Sequence, residues 1–238
     1  MAHKRIQMKA QGSICRIGVF YDGSFFAHAQ RYFYHDRKLG WLSFQPLQTF
    51  FETFIGKKEQ GFSSYKVVYA SWHQGMFTGR GATDEQLRRD RRLYHDLMHA
   101  GVDPKYLPTS QQHREKGTDV ALAVDALQVG LDGKIDIAVL VTGDGDFVPL
   151  VRALNKHGIR VVAAYFDFQD ARGKKCFINE RLLKCCNYDV DIGKLEGDRE
   201  FGAVFKSLFR TPSDFRDYGE GQPTPPADAE DGAAEAQR

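Results

Sequence analysis

The 238-residue sequence has only four cysteines, Cys15, Cys176, Cys185 and Cys186. None forms a Cys-x-x-Cys pair, and none has a histidine nearby at zinc spacing, so a structural zinc site is not expected. They read as core or incidental thiols of a protein in a reducing compartment. Long apolar runs are absent as well, and nothing approaches the ~20 residues that span a membrane. The basic N-terminus MAHKRIQMKAQGS has no apolar stretch behind it, which argues against a signal peptide. The expectation is a soluble cytoplasmic protein with no membrane partner. No glycine-rich segment matches a phosphate loop or a dinucleotide fingerprint, and no Ser-His-Asp or Cys-His set stands at a working spacing. Nucleotide-binding and nucleophilic-triad chemistry therefore have no support.

What remains is a globular composition, 42% hydrophobic and 27% charged, enough for one sizeable core. The net charge of +2 is unevenly spread. From Thr211 onward seven acids (Asp214, Asp217, Glu220, Asp228, Glu230, Asp231, Glu235) face two arginines, Arg216 and Arg238. Taking that −5 away from +2 leaves residues 1–210 at +7. Four of the eight prolines also fall in this tail, whose composition predicts disorder. The folded part is basic, which suits a polyanionic partner. The acidic tail is a candidate cover for the basic surface or a contact for a protein partner.

Along the chain, apolar runs alternate with helical patterns. Ile14–Tyr21 reads as a strand buried on both faces. Tyr65–Trp72, a short piece at Lys105–Leu107, Asp136–Val141, Ile159–Ala164 and an edge at Tyr188–Ile192 follow as strands. Helices are predicted after Ser24, over Phe44–Ile55, over Thr83–Ala100 with an apolar stripe of Leu87, Tyr94, Leu97 and Met98, and over Asn179–Cys185. Asp119–Leu131 is apolar nearly all round and predicts a buried helix. Phe147, Leu150, Val151 and Leu154 mark one more, with Pro149 in its first turn. This alternation implies an α/β fold, a three-layer α/β/α sandwich with a mainly parallel sheet. The expected organisation is a flexible N-terminus over 1–13, the α/β domain over 14–192, an amphipathic extension packed outside it over 193–210, and the tail over 211–238.

In such sheets ligands collect beyond the carboxyl ends of the strands, where strand order reverses. Asp22 ends the first strand, Asp144 and Asp146 follow the strand VLV, and Asp119 opens the apolar helix. Singly, Asp22, Asp119 and Asp146 each read as ordinary helix caps. Together they form a set, and the Gly-separated pair leaves Asp144 with no capping duty. Crowded carboxylates raise one another's pKa unless a cation neutralises them. Hard oxygen ligands without histidine or thiolate suit Mg2+ or Mn2+, a site able to activate water and stabilise the leaving oxygen of a phosphodiester.

Three blocks carry a resemblance: VFYDGS at 19–24, KGTDVALAVDAL at 116–127 and VLVTGDGDFVPLVRALNKHGIRVVAA at 139–164. They look like the signature blocks of NYN-domain proteins, the PIN-like nuclease family that includes the bacterial LabA-type proteins. The resemblance implies a PIN-like fold and a metal-dependent ribonuclease, endonucleolytic on single-stranded or loop RNA, leaving 5′-phosphate and 3′-hydroxyl ends. It places the catalytic metal site on Asp22, Asp119, Asp144 and Asp146. Thr142 falls on the small hydroxyl position and Lys116 on a frequent lysine. Asp125 also matches an acidic position, but it lies about 120° round the helix from Asp119 and reads as supporting or structural. In one departure, the family's first block commonly runs Asp-Gly-x-Asn, whereas Phe25 stands here after Ser24. Ser24 replaces the missing amide only in part, which favours an alternative: an RNA-binding or regulatory module of the same fold with little catalysis.

Four arginines in Arg88-Arg89-Asp90-Arg91-Arg92, with Arg88 and Arg92 on one helix face, suit phosphate contact or form a solvated basic face. The segment Ser71–Gly81 is read as a loop offering Trp72, His73, Phe77 and Arg80 to unpaired bases and phosphate, although Trp72 equally reads as core and His73 as incidental. Gln111-Gln112-His113-Arg114 is a further candidate contact, as are Arg172, Lys174 and Lys175. A haloacid-dehalogenase site would need an acid where Ser24 stands, and a Toprim-like site would need glutamate in place of Asp22.

Overall fold

The computed structural model describes residues 13–77, 83–109 and 117–210. Ten strands are present among them: β1 (Ile14–Asp22), β2 (Trp41–Leu42), β3 (Ser64–Phe77), β4 (Asp103–Thr109), β5 (Ile137–Val141), β6 (Arg160–Tyr165), β7 (Phe168–Gln169), β8 (Lys175–Cys176), β9 (Tyr188–Asp191) and β10 (Phe209–Arg210). The α-helices are α1 (Gly23–Arg31), α2 (Phe44–Lys58), α3 (Asp84–His99), α4 (Thr118–Leu131), α5 (Val148–Lys156), α6 (Glu180–Cys185) and the one-turn α7 (Gly202–Phe205).

Six strands form one sheet in the order β4-β3-β1-β5-β6-β9, and every pairing is parallel. The expected α/β/α sandwich is therefore observed. From β1 the chain builds outward through β3 to β4, crosses back through α4, and builds the other way from β5. The order reverses between β1 and β5. β5 is buried at all five residues and β1 from Ile17 onward, which explains why they read as apolar runs.

The sheet divides the core into two faces. On one, Tyr21, Phe26, Phe44 and Trp72 meet at centroid distances of 5.1–6.3 Å, mostly edge to face, under α1 and α2. On the other, Phe20, Leu140 and Phe147 pack with Leu122 and Ala126 of α4 and Leu150, Val151 and Leu154 of α5. Phe20 and Tyr21 point to opposite faces because strand side chains alternate.

Several elements depart from the sequence reading. β3 runs on to Phe77, because β4 pairs with its second half from Ser71↔Asp103 to Phe77↔Thr109; Ser71–Phe77 is strand, not loop. β4 is an edge strand, which tolerates Pro104 and Pro108 because one side needs no partner, and those prolines shortened the predicted strand. α4 is not buried all round: Val120, Val124 and Leu131 are exposed, since only one side of it meets the sheet. On α3 the buried residue is Leu97, while Leu87, Tyr94 and Met98 face outward. Residues 193–210 do not form one outer helix. They make 3-10 turns, α7 and β10, and Phe201, Phe205 and Leu208 enter the same core as β1. Among the described residues no helix is long and apolar enough to cross a membrane. The tail from Thr211 lies outside the described residues.

Candidate active site

β1 delivers Asp22 to the carboxyl edge of the sheet, where the strand order reverses. It is 8% exposed, and three donors hold its carboxylate. Oδ1 accepts from the Ser24 hydroxyl at 2.9 Å and from the Phe25 N–H at 3.1 Å, so Asp22 also caps α1. Oδ2 accepts from the Thr142 hydroxyl at 3.0 Å. Tyr21 pairs with Val141 across β1 and β5, which brings Thr142 alongside Asp22. Thr142 Oγ1 in turn accepts the Asp144 N–H at 3.2 Å. One hydroxyl thus ties the end of β1 to the turn after β5.

Burial pushes the Asp22 pKa up. The hydrogen bonds from Phe25, Ser24 and Thr142 oppose this, and the charge of Asp144 adds to it. Asp144 is exposed, and its Oδ1 accepts the Asp146 N–H at 2.9 Å. The idea that Asp144 has no capping duty is therefore corrected: it is the cap of the 3-10 turn Gly145–Phe147. The short polar side chain reaches the N–H two residues on, an ordinary turn contact. Asp146 is exposed within that turn.

The turn is shaped by close approach. A Cβ on Gly143 would collide with the Phe177 carbonyl and come within 2.9 Å of the Phe25 ring; one on Gly145 would lie 2.7 Å from the Asn179 amide. Gly143→Ala is expected to cost about 1–3 kcal/mol, because the obstacle is backbone. Gly145→Ala should cost less, since the Asn179 side chain can move. Urea denaturation of both variants checks the order.

Asp119 lies in the first turn of α4, exposed, and Asp125 sits on another side of that helix against β3. Its carboxylate accepts from the Tyr69 hydroxyl at 2.9 Å and pairs with His73 Nε2 at 3.2 Å. His73, read as incidental, is a buried strand residue whose Cα pairs with Asp22 in register. Trp72, offered both for stacking and for the core, is core at 1% exposed. Arg88 is exposed and Arg92 half-buried on α3; that helix sends Leu97 into the face of the sheet opposite α4. Arg80, Arg114 and Lys116 lie outside the described residues. Asn179, missed in the sequence, sets its amide beside Gly145 and caps α6; only its position before a helical pattern signalled it.

Among the described residues no group of three or more His, Cys, Asp or Glu side chains could hold a metal ion. The pair Asp22 and Asp144 fits a hard divalent cation in a leaner mode. Mg2+ commonly takes about one or two carboxylates and keeps waters elsewhere. A carboxylate has about four acceptor positions, and three of those on Asp22 are filled, two on Oδ1 and one on Oδ2. A single position on Oδ2 is left for a ligand bond.

The family model described as the NYN domain matches residues 16–188. The chain belongs to the NYN-domain family. NYN domains have a PIN-like nuclease fold, are generally nucleases that bind RNA, and typically use divalent metals. A crystal structure of a protein of unknown function from Vibrio parahaemolyticus is similar to this NYN domain at 21% identity and a TM-score of 0.49, covering 78% of this chain and 94% of that one. No curated protein matches the chain. Two of the three sequence blocks meet where the sheet order reverses, the first bringing Asp22 and the third Thr142 and Asp144.

Proposed function

We propose that this NYN domain is a divalent-metal-dependent ribonuclease that cuts RNA internally by phosphodiester hydrolysis. The observation that carries the reading is the buried Asp22 carboxylate, coupled to Asp144 through Thr142 at the reversal of strand order. Burying a carboxylate next to a second one costs free energy that a bound cation recovers. Asp22 Oδ2 and Asp144 would hold Mg2+ or Mn2+, with Asp146 and Asp119 reached through water or on substrate binding. When bound, the cation supplies a lowered water pKa and charge stabilisation at phosphorus. The chain's own part is positional. Ser24, Phe25 N–H and Thr142 fix the Asp22 carboxylate, and the Asp146 N–H fixes that of Asp144. The basic character of residues 1–210 serves phosphate contact, with Lys116, Arg80, Arg88, Arg92 and Arg114 as the candidate groups.

A second reading, a module that binds RNA and cleaves little, is favoured by Phe25. Its ring lies against Gly143 and is tilted against Phe166 at a centroid distance of 5.7 Å, so no amide reaches the site from that position. The test uses the purified full chain with a labelled RNA of mixed structure in Mn2+, in Mg2+ and in EDTA. Cleavage that requires metal and yields 5′-phosphate ends is the expected result. Intact RNA with every metal, together with salt-sensitive binding, would establish the second reading.

A further inference from the structure

One strand from the acid pair, an open cleft of about 420 Å³ lies between His73 of β3, Lys105 of β4 and the first three turns of α4. One wall is apolar. Val120 and Val124, a turn apart on α4, are 66% and 57% exposed, and both line the cleft. Isolated exposed valines need no explanation, but two stacked above a polar floor make a wall. The floor and rim are His73, Lys105, Asp125 and Gln128.

Asp125 is the fixed point. Tyr69 and His73 hold its carboxylate from below. Burial would raise its pKa, but the hydrogen bonds from His73, Ser71 and Tyr69, with the His73 charge, bring it below the usual range. It is therefore an ionised acceptor at neutral pH. Tyr69, His73 and Ser71 each bring one hydrogen, so about one of its roughly four acceptor positions remains, on the Oδ1 side. Lys105 is a donor, anchored near the rim by Asp103 at 2.6 Å, and the Gln128 amide can donate or accept. The lining thus pairs an apolar plane with an edge carrying an anionic acceptor beside donors.

The cleft also has a definite place relative to the acids. The Cα of His73 pairs with that of Asp22, and adjacent strands lie about 4.8 Å apart. A phosphate bridged to Asp22 and Asp144 by a cation would leave the base of an adjoining nucleotide near the cleft. We propose that the cleft takes that base and selects guanine, an inference that rests on the RNA-cleaving reading above. Guanine presents two neighbouring N–H groups, on N1 and N2, next to the O6 carbonyl. One Asp125 oxygen accepts from the first two together, Lys105 or Gln128 donates to O6, and Val120 and Val124 cover the ring face. Adenine lacks the N1 hydrogen, and uracil has one N–H between two carbonyls. Cytosine sets a bare ring nitrogen beside its amino group, where the carboxylate would repel it.

The test reads binding, so it does not depend on cleavage. Fluorescent RNA pentamers UUGUU, UUAUU, UUCUU and UUUUU are titrated with the full chain in Ca2+ and in EDTA. The expected result is at least ~10-fold tighter binding of the guanine pentamer, a discrimination within the range of one good paired contact. Asp125→Asn replaces one acceptor oxygen with a donor and should bring the ratio close to one, as should Val124→Asp at a solvent-exposed position, a control in case Asn at 125 disturbs the β3 contacts. Equal affinity of the wild-type chain for all four pentamers would overturn the inference, as would guanine preference that persists in both variants. Metal-dependent cleavage without guanine discrimination rejects the cleft and keeps the nuclease. Guanine discrimination without cleavage keeps the cleft and rejects the nuclease.

Discussion

Asp144→Asn is expected to lower metal-dependent RNA cleavage at least ~100-fold, about 2.7 kcal/mol of transition-state stabilisation, while the fold and RNA binding survive. The side chain is exposed and its contact with the protein is the bond from the Asp146 N–H to Oδ1. An asparagine carbonyl accepts the same bond, so the Gly145–Phe147 turn keeps its cap and the stability change should stay within about 0.5 kcal/mol. What disappears is the negative charge next to Asp22. With it goes the second ligand for a cation, and Oδ2 of Asp22 alone offers one bond. Single-turnover cleavage across a Mg2+ titration, with RNA affinity measured in EDTA, separates the losses. A rate lost at every Mg2+ concentration places Asp144 in the chemistry. A rate recovered at high Mg2+ places it in metal affinity alone. An unchanged rate removes Asp144 from the site.

The sequence made the candidate site's location legible because two kinds of signal coincide there. An apolar run ending in an acid marks β1 and Asp22; a second apolar run ending in Thr-Gly-Asp marks β5 and the turn. Parallel topology then forces both to one edge. What it did not show is how tightly they are joined. The bridge from Asp22 through Thr142 to the Asp144 N–H needs the register of β1 on β5, and registers are not written in composition. The capping role of Asp144 was missed for a related reason. The helix pattern begins at Phe147, so the 3-10 turn ahead of it left no periodic trace. Asp119 stayed ambiguous because a helix opening fixes a residue's height on the sheet edge, not its reach toward the other acids.

The reading failed mainly at the β3–β4 edge. Pro104 and Pro108 concealed a seven-residue edge strand, and without it the extension of β3 looked like a loop. His73 then seemed solvent-exposed and incidental, although the strand buries it against Asp125. The valines of α4 misled in the opposite direction. An all-round apolar helix normally implies burial on all sides, yet α4 leaves Val120 and Val124 outside, lining the cleft toward β3 and β4. Local rules tend to fail where a surface has work to do, and these two departures fall on the same cleft.

Asp22→Asn should abolish cleavage and at the same time stabilise the chain by about 1 kcal/mol in EDTA at pH 7, a rise in Tm of about 2–4 °C for a domain of this size. Asparagine caps a helix as well as aspartate does, so the Phe25 N–H and the Ser24 hydroxyl keep an acceptor, and the Thr142 hydroxyl can turn to accept from the new amide. The gain comes from the charge. Burial raises the native pKa of Asp22 above its unfolded value of about 3.9. Below the unfolded value both states are protonated, and the two proteins should be equally stable. As pH rises through the native value, the wild-type carboxylate must ionise in place or stay protonated while the unfolded chain releases its proton; either way stability is lost. The variant has no such loss, so the difference opens as pH rises past the unfolded value and levels off above the native one. Melting curves of both proteins from acid to neutral pH measure it. Adding Mg2+ should reverse the order at neutral pH, since a cation that binds only the native wild-type site raises its Tm by mass action and leaves the variant where it was. Equal response of the two proteins to Mg2+ would separate the buried charge from metal binding, and the free-energy cost of Asp22 would then need another ligand to explain it.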